Sequence, residues 1–410
     1  MNLFTTKNPY QVYVNTCFLA QFFFTFIFTM NLLYQVQIVR LTPIELVLVG
    51  TVLELTVFLF EIPTGVISDL KSRKLSIVMG YCLIGVGFLV EGLFPFFTAV
   101  MISQVIWGIG YTLTSGSQQA WIADAIGEER ASSAFLTGAK AGNLGQMFAI
   151  PLSIFTGYFM INLPIVFGGL CMIGLSIYLI LFMKEENFQP LDNVNRTSTW
   201  ANMKGNMEKI IVYSRANYLM RLLFLIALFV GFYSEGFDRL WISHFFEASN
   251  LTALSDQGLV ILVGGVQFIV VLLSFTALHY LNRSYIHEQL KLIYVSLFIG
   301  SCLIILSLIG FAFATNIISL LVFYIVIQVT RQSMHPLEDI WLNKLIPESS
   351  TRATFFSVKG QVDAIGQISG GPFIGFIASG FTIKAAIVAS ALLLTPVLFL
   401  YKTVLKKSRG

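Results

Sequence analysis

Residues 231–246, GFYSEGFDRLWISHFF, place Glu235, Asp238 and Arg239 in a run that is otherwise almost entirely apolar or aromatic. Glu235 and Arg239 are four residues apart, so on a helix they share a face and can pair, and Asp238 borders that face. A carboxyl group held in an apolar medium can bind a cation or carry a proton, and an arginine there can pair with an acid or clamp an anion. If Arg239 engages Glu235, Asp238 is the better proton carrier. The alternative is an internal ion pair that only fixes helix packing.

Other ionisable groups share this setting. Glu54 and Glu61, in TVLELTVFLFEIPTG, are seven residues apart, about two helical turns, and fall on one face. Glu61 precedes Pro63, a helix-bending residue. Arg331, His335 and Asp339 follow at i, i+4 and i+8 with Glu338 alongside, and Arg331 is expected to meet an acid of another helix, such as Asp363. Glu338 and Asp339 lie nearer the end of their run, where capping a gate is the simpler role. Lys359 and Asp363, four apart, are expected to pair or to reach outward, as is Lys140. Glu91, near the end of its apolar run, reads as an edge residue. Phe22, Phe23, Phe24, Tyr34, Tyr111, Phe232, Tyr233 and Trp241 could line a pocket for an aromatic guest, although packing is the commoner role for each.

The elements that position these groups follow from composition. The chain has 410 residues, 56% hydrophobic and only 11% charged, with 38 Phe spread along its length. A soluble domain carries about 25% charged residues, so this chain lacks the charge to cover a water-facing surface. A spanning helix needs about 20 mainly apolar residues. Twelve such runs occur, near 12–39, 45–68, 75–94, 97–124, 134–160, 164–183, 218–246, 257–281, 291–314, 317–343, 354–380 and 383–402. They are too long for the short alternating strands of a membrane barrel. The connections alternate between a basic set (Lys71, Arg73 and Lys74; Arg130; 184–217; Arg283; Lys344 and Arg352; Lys402, Lys406, Lys407 and Arg409) and a set holding only Arg40 and Lys384. The excess of cations on cytoplasmic loops places both termini in the cytoplasm of a plasma (inner) membrane protein. The long polar stretch 184–217 divides the chain into a six-helix bundle over 1–183, a linker with an interfacial helix, and a second six-helix bundle over 218–410. The N-terminus MNLFTTKNPYQVYVNT is unlike a secretory signal.

Two segments resemble each other. AWIADAIGEERASSAF (120–135) follows the fourth span and IWLNKLIPESSTRATFF (340–356) follows the tenth, which points to two six-helix halves related as parallel repeats. Over nearly its full length the chain resembles the major facilitator superfamily, most sharply in GVISDLKSRKLSIVMG (65–80) after the second span. The resemblance implies an all-α integral membrane fold of twelve transmembrane helices in two pseudo-repeat bundles. Gly65, Asp69, Arg73 and Lys74 match the family's loop signature, with Ser72 where glycine is usual, and the equivalent loop 279–291 is degenerate. Gly65 is then expected to permit close approach of a neighbouring helix, and Asp69, Arg73, Asp124 and Arg130 to form a conformational latch. FEIPTG (60–65), GYTLTSG (110–116), AWIADAIGEE (120–129) and SEGFDRLW (234–241) resemble the drug–proton antiporter branch that includes macrolide- and tetracycline-type efflux pumps. Gln104 and Trp107 stand in QVIWGIG where that branch has Arg and Gln, and GAKAGNLGQMFAIP lacks its Gly-Pro pair.

The expected function is secondary active transport by alternating access: protons moving inward through Glu54, Glu61, Glu235 and Asp238, with Arg239 and Arg331 beside them, drive export of an amphipathic drug-like compound. Proton-coupled uptake of a small nutrient and a transporter-shaped receptor without flux are the alternatives. A nucleotide-driven engine is excluded, because no GxxxxGK[ST] occurs. An embedded enzyme is not expected either, since HExxH and GxSxG are absent. Cys17, Cys82, Cys171 and Cys302 and the four histidines show neither a disulfide framework nor ligand spacing, so no cofactor or metal is expected. The expected partners are a small-molecule substrate, protons and membrane lipids. No nucleic acid is expected, and a monomer suffices.

Overall fold

A computed structural model describes residues 8–185, 212–213, 217–249, 254–283, 289–346 and 352–407. The linker expected over 184–217 therefore lies almost wholly outside the described residues. Among the described residues the chain is helical: α1 (Pro9–Gln37), α2 (Pro43–Leu70), α3 (Arg73–Leu93), α4 (Phe97–Thr114), α5 (Ser117–Ile126), α6 (Glu128–Phe159), α7 (Leu163–Phe182), α8 (Tyr218–Ser249), α9 (Asp256–Arg283), α10 (Leu290–Phe313), α11 (Ile317–Leu345), α12 (Arg352–Gly380) and α13 (Ile383–Lys407). In hydrocarbon every backbone N–H and C=O must be satisfied within the chain, which leaves runs this apolar little alternative to the helix. Polar side chains close the ends. Asn8 accepts from the Tyr10 amide ahead of α1, Ser72 from the Leu75 amide ahead of α3, and Asn316 from the Ser319 amide ahead of α11.

The fourth span departs from a continuous helix. It breaks at Ser115–Gly116 into α4 and α5, because Gly116 adopts φ 71°, a conformation in which a Cβ is strained. Gly127, at φ 86°, then separates α5 from α6 and lets α6 start at Glu128, earlier than the apolar run suggests.

Two compact units are present. The first comprises residues 1–40, 52–199 and 255–265, and the second residues 41–51, 200–254 and 266–410. Helix α2 contributes its opening turns to the second unit and the rest to the first, and α9 opens in the first. The main packing pairs of the first unit are α1 on α6, α3 on α4, α3 on α7 and α1 on α7. Those of the second are α8 on α12, α10 on α11, α10 on α13 and α8 on α13, the same scheme six spans later. The bundles are thus pseudo-repeats.

Among the described residues, ten segments are long and apolar enough to cross a membrane, and α6 and α12, equivalent in the repeat, are the more polar exceptions. Large apolar side chains such as Phe148, Phe155, Phe376 and Phe399 stand exposed on the outer faces, as a lipid-facing surface requires. With lipid outside, apolar burial does little to drive helices together, so contact depends on close packing. Gly80 of α3 and Gly110 of α4 meet backbone to backbone: a Cβ at Gly80 would lie 2.7 Å from the Gly110 carbonyl oxygen, and one at Gly110 2.6 Å from that of Gly80. Gly65, expected at a close approach, is elsewhere in character. A Cβ there would meet nothing within 4 Å, because the helix contacts run through glycines of α3, α4 and α7 instead.

Gly110→Ala should therefore cost about 1–3 kcal/mol through overpacking. Gly174→Ala, where a Cβ meets nothing within 4 Å, should leave stability unchanged. Thermal unfolding of the two purified variants compares them.

Candidate functional site

The second unit holds a cavity of about 360 Å³ between α8, α11 and α12. Helix spacing brings Asp238 on α8, Arg331, His335, Glu338 and Asp339 on α11, and Lys359 and Asp363 on α12 to its wall. Arg331 binds Asp238 with both ends of its guanidinium, Nη1 to Oδ1 at 2.5 Å and Nη2 to Oδ2 at 2.8 Å. Its guanidinium carbon also lies 5.7 Å from the centre of the Tyr233 ring. The expected partner Asp363 is engaged otherwise, accepting from Gln367 Nε2 at 2.8 Å one turn along its own helix. Arg331 reaches Asp238 because the fork has to lie in the plane of the carboxylate, and α8 presents Asp238 that way. Lys359 likewise does not pair with Asp363. Its Nζ lies 3.2 Å from Glu338 Oε2 and 3.0 Å from Asp339 Oδ1, so these two acids hold a cation of α12 rather than only capping a gate. Tyr401 donates to Glu338 Oε1 at 3.4 Å. Four carboxyl groups thus face two permanent cations around one space.

Glu235 and Arg239 do pair, Nε to Oε1 at 2.8 Å, as their spacing on α8 dictates. They do not line the cavity. Glu235 is buried. A Cβ on Gly50, in the opening turns of α2, would overlap Glu235 Oε1 and approach Arg239 Nε to 2.5 Å. The pair is a packing contact between α2 and α8 in this structure.

The first unit holds a cavity of about 580 Å³ with no Asp, Glu, Lys, Arg or His on its wall. Its polar surface comes from Tyr13 and Gln21 of α1, Tyr81 of α3, Tyr111 of α4, Gln118 of α5 and Asn143 of α6. Tyr81 donates to Gln118 Oε1 at 2.9 Å. Gln118 Nε2 approaches Cys17 Sγ at 3.5 Å. Glu54 and Glu61 on α2 are partly buried and lie outside this wall, within electrostatic reach of Tyr111. Of the aromatic candidates, Phe24 and Tyr111 line this cavity and Tyr233 the other. Tyr34 is fully buried, and Trp241 packs on Tyr324 with ring centres 4.2 Å apart.

At the α2–α3 turn, Asp69 Oδ1 lies 3.8 Å from Arg73 Nε. The two are not on one helix: α2 ends at Leu70, and Ser72 caps α3. Arg73 Nη1 also donates to the Ala120 carbonyl at 2.8 Å and engages Asp124, tying α3 to α5. Arg130 is exposed on the first turn of α6, apart from this cluster.

Glu91 differs most from its expected place at a membrane edge. It is 0% exposed. Oε1 accepts from Asn31 Nδ2 at 2.8 Å and Gln35 Nε2 at 2.7 Å. Oε2 accepts from Ser103 Oγ at 3.1 Å and Gln104 Nε2 at 3.2 Å. Position along a run reports depth, but enclosure depends on the neighbours, and here α1 and α4 close over the end of α3. The polar cluster Asn31, Gln35, Ser103 and Gln104 inside otherwise apolar runs was the available signal.

Comparison with known proteins fits this architecture. Residues 14–310 match the family model described as Major Facilitator Superfamily. The chain is 29% identical over 371 residues to the "Uncharacterized MFS-type transporter YxaM" of Bacillus subtilis (strain 168), covering 88% of each chain. Among solved structures, a mutant of the nucleoside transporter NupG aligns with a TM-score of 0.75 at 14% identity, covering 97% of this chain and 99% of that one. A bacterial homologue of the human lysosomal transporter Spinster, in an inward-facing and unoccupied conformation, aligns with a TM-score of 0.75 at 14% identity and 98% coverage of both. At these identities the solved structures speak for the fold alone. The match covers most of the sequence, and its members are transporters rather than enzymes. The chain belongs to the Major Facilitator Superfamily.

Proposed function

We propose that the protein is a proton-coupled secondary transporter that exports amphipathic, cation-bearing compounds across the plasma membrane by alternating access. The observation that carries this reading is the cavity of the second unit, where Asp238, Glu338, Asp339 and Asp363 outnumber Arg331 and Lys359. Such a wall favours a guest that is itself positive, whether a proton or an organic cation. A proton taken up by Asp238 neutralises the carboxylate and removes the charge that holds Arg331. A cationic substrate leaves the same wall when its counter-charge is cancelled, so proton and substrate exclude each other, which is the logic of exchange. One chain supplies the whole wall, so a monomer can work. Both termini are taken as cytoplasmic, from the basic connections.

The first cavity favours a second reading. A wall of phenols and carboxamides without charge suits a neutral, hydrogen-bonding guest, as in proton-coupled uptake of a small nutrient. The direction of flux separates the two. Proteoliposomes with an imposed pH gradient and a fluorescent lipophilic cation as probe should show probe moving against the proton flow. Co-directional movement would favour uptake.

Removing one member of the half-buried Asp238–Arg331 pair leaves the other charge without its partner, which costs roughly 1–3 kcal/mol. Asp238→Asn and Arg331→Gln should each lower the unfolding temperature, and the double variant should recover most of it. Gradient-driven flux should stay at least about tenfold below wild type in all three, the factor set by ~1.4 kcal/mol of lost interaction. Flux at the wild-type level in Asp238→Asn would remove Asp238 from the coupling path.

Cys17 offers a test of the first cavity. With Cys82, Cys171 and Cys302 replaced by Ala, maleimide modification of Cys17 should fill part of the wall and abolish flux, and the Cys17→Ala protein should be insensitive to the reagent.

A further inference from the structure

Glu91 is the ionisable group that the proposed transport cycle leaves unused. It joins two helices that the packing scheme otherwise keeps apart. Asn31 and Gln35 approach from α1, and Ser103 and Gln104 from α4. The acid's own main-chain carbonyl accepts from the Tyr34 phenol at 2.7 Å. In each of these four side-chain contacts Glu91 is the acceptor; a protonated carboxyl keeps acceptor capacity but adds an O–H that must itself find an acceptor.

Two further observations point to a bound proton. First, the carbonyl oxygen of Gln35 is buried and receives no hydrogen bond, although the same amide donates through Nε2 to Glu91 and, at 3.0 Å, to Asn31 Oδ1. One rotation of that amide presents an empty acceptor to Glu91. Second, Gln104 is fixed as a neutral donor, because Trp107 Nε1 donates to its Oε1 at 3.0 Å. A neutral amide donates to the carboxylate and to the carbonyl oxygen of the protonated acid alike, whereas an arginine would favour the anion.

The surroundings contain little else that ionises. Helices α1, α4 and α7 contain no Asp, Glu, Lys, Arg or His; α2, which meets Gly108 of α4 through Leu53 and Thr56, carries Glu54 between them, and Asp124 of α5 is engaged with Arg73 at the opposite end of α3. Tyr111 lies two turns along α4 from Gln104. Tyr178 of α7 hydrogen-bonds Asn15 near the opening turns of α1, away from this end.

We propose that Glu91 is a proton-binding site which, on taking up a proton, reverses its hydrogen bond with Gln35 from acceptor to donor and so rearranges the tie between α1 and α3. The added proton sits on one carboxyl oxygen and is donated to the Gln35 carbonyl. No other bond is made or broken covalently. This acid is distinct from Asp238, and its titration is independent of which substrate is carried.

The test is infrared difference spectroscopy of the purified full chain in lipid as pH is stepped from alkaline to acid, with protons as the only added ligand. The expected result is a carboxylic-acid carbonyl band of a buried group that is lost in Glu91→Gln and also lost in Gln104→Arg, which locks the anion. Thermal unfolding of Glu91→Gln, which keeps the shape of the side chain, checks that the protein remains folded. Gln35→Met should shift the band by removing its acceptor. A carboxylic-acid difference spectrum that folded Glu91→Gln leaves unchanged, or the absence of such a band in the wild type, would overturn the assignment. So would a response to sodium ions at constant pH in place of the response to pH. Loss of probe flux in Asp238→Asn, or its retention, bears on the transport reading and leaves this band untouched.

Discussion

A charged side chain placed in a hydrocarbon slab costs roughly 2.5–3.5 kcal/mol even on the most lenient insertion scales. That constraint organises the interior of this protein. Asp238 is answered by the forked guanidinium of Arg331, Glu338 and Asp339 by Lys359, Glu235 by Arg239, and Glu91 by four neutral donors. Most of these bonds cross from one helix to another. Because apolar burial is weak as a driving force between helices in lipid, such bonds and the close glycine contacts do much of the work of holding the bundles.

The two units repeat one packing scheme and depart from it in chemistry. The fifth span packs on the first and the eleventh on the seventh, and these are the two segments too polar to pass as simple membrane crossings. Part of their polarity faces cavity walls: Asn143 in one unit, Lys359, Asp363 and Gln367 in the other. One wall is charged with acids in excess, the other neutral and rich in phenols and amides. The two frames share a packing scheme and differ in the chemistry of their cavity walls.

Some of the site was legible in the sequence. Glu235 and Arg239 are one turn apart, so their pairing needs no knowledge of any other helix. Arg331, deep in an apolar run, announced that it needed an acid, but its partner is 93 residues away and Asp363 was as plausible as Asp238. The uncharged cavity was signalled only by the aromatic candidates Phe24 and Tyr111, because Gln and Asn are tolerated in a span whether they line a space or bond to a neighbour. Glu91 was misplaced for a related reason. Its distance from the end of its run is a property of one helix, while its enclosure is a property of three.

Local composition by itself determined that this is a membrane protein and the approximate limits of its spans, because lipid leaves an apolar run of that length no way to satisfy its backbone except as a helix, while the family was legible only in short motifs such as 65–80. Only the tertiary structure decided which acid met which base, which faces opened onto cavities and where the fourth span broke. Those outcomes depend on how each helix is rotated about its axis and how near its neighbours come, and neither is written in the hydropathy of a single segment.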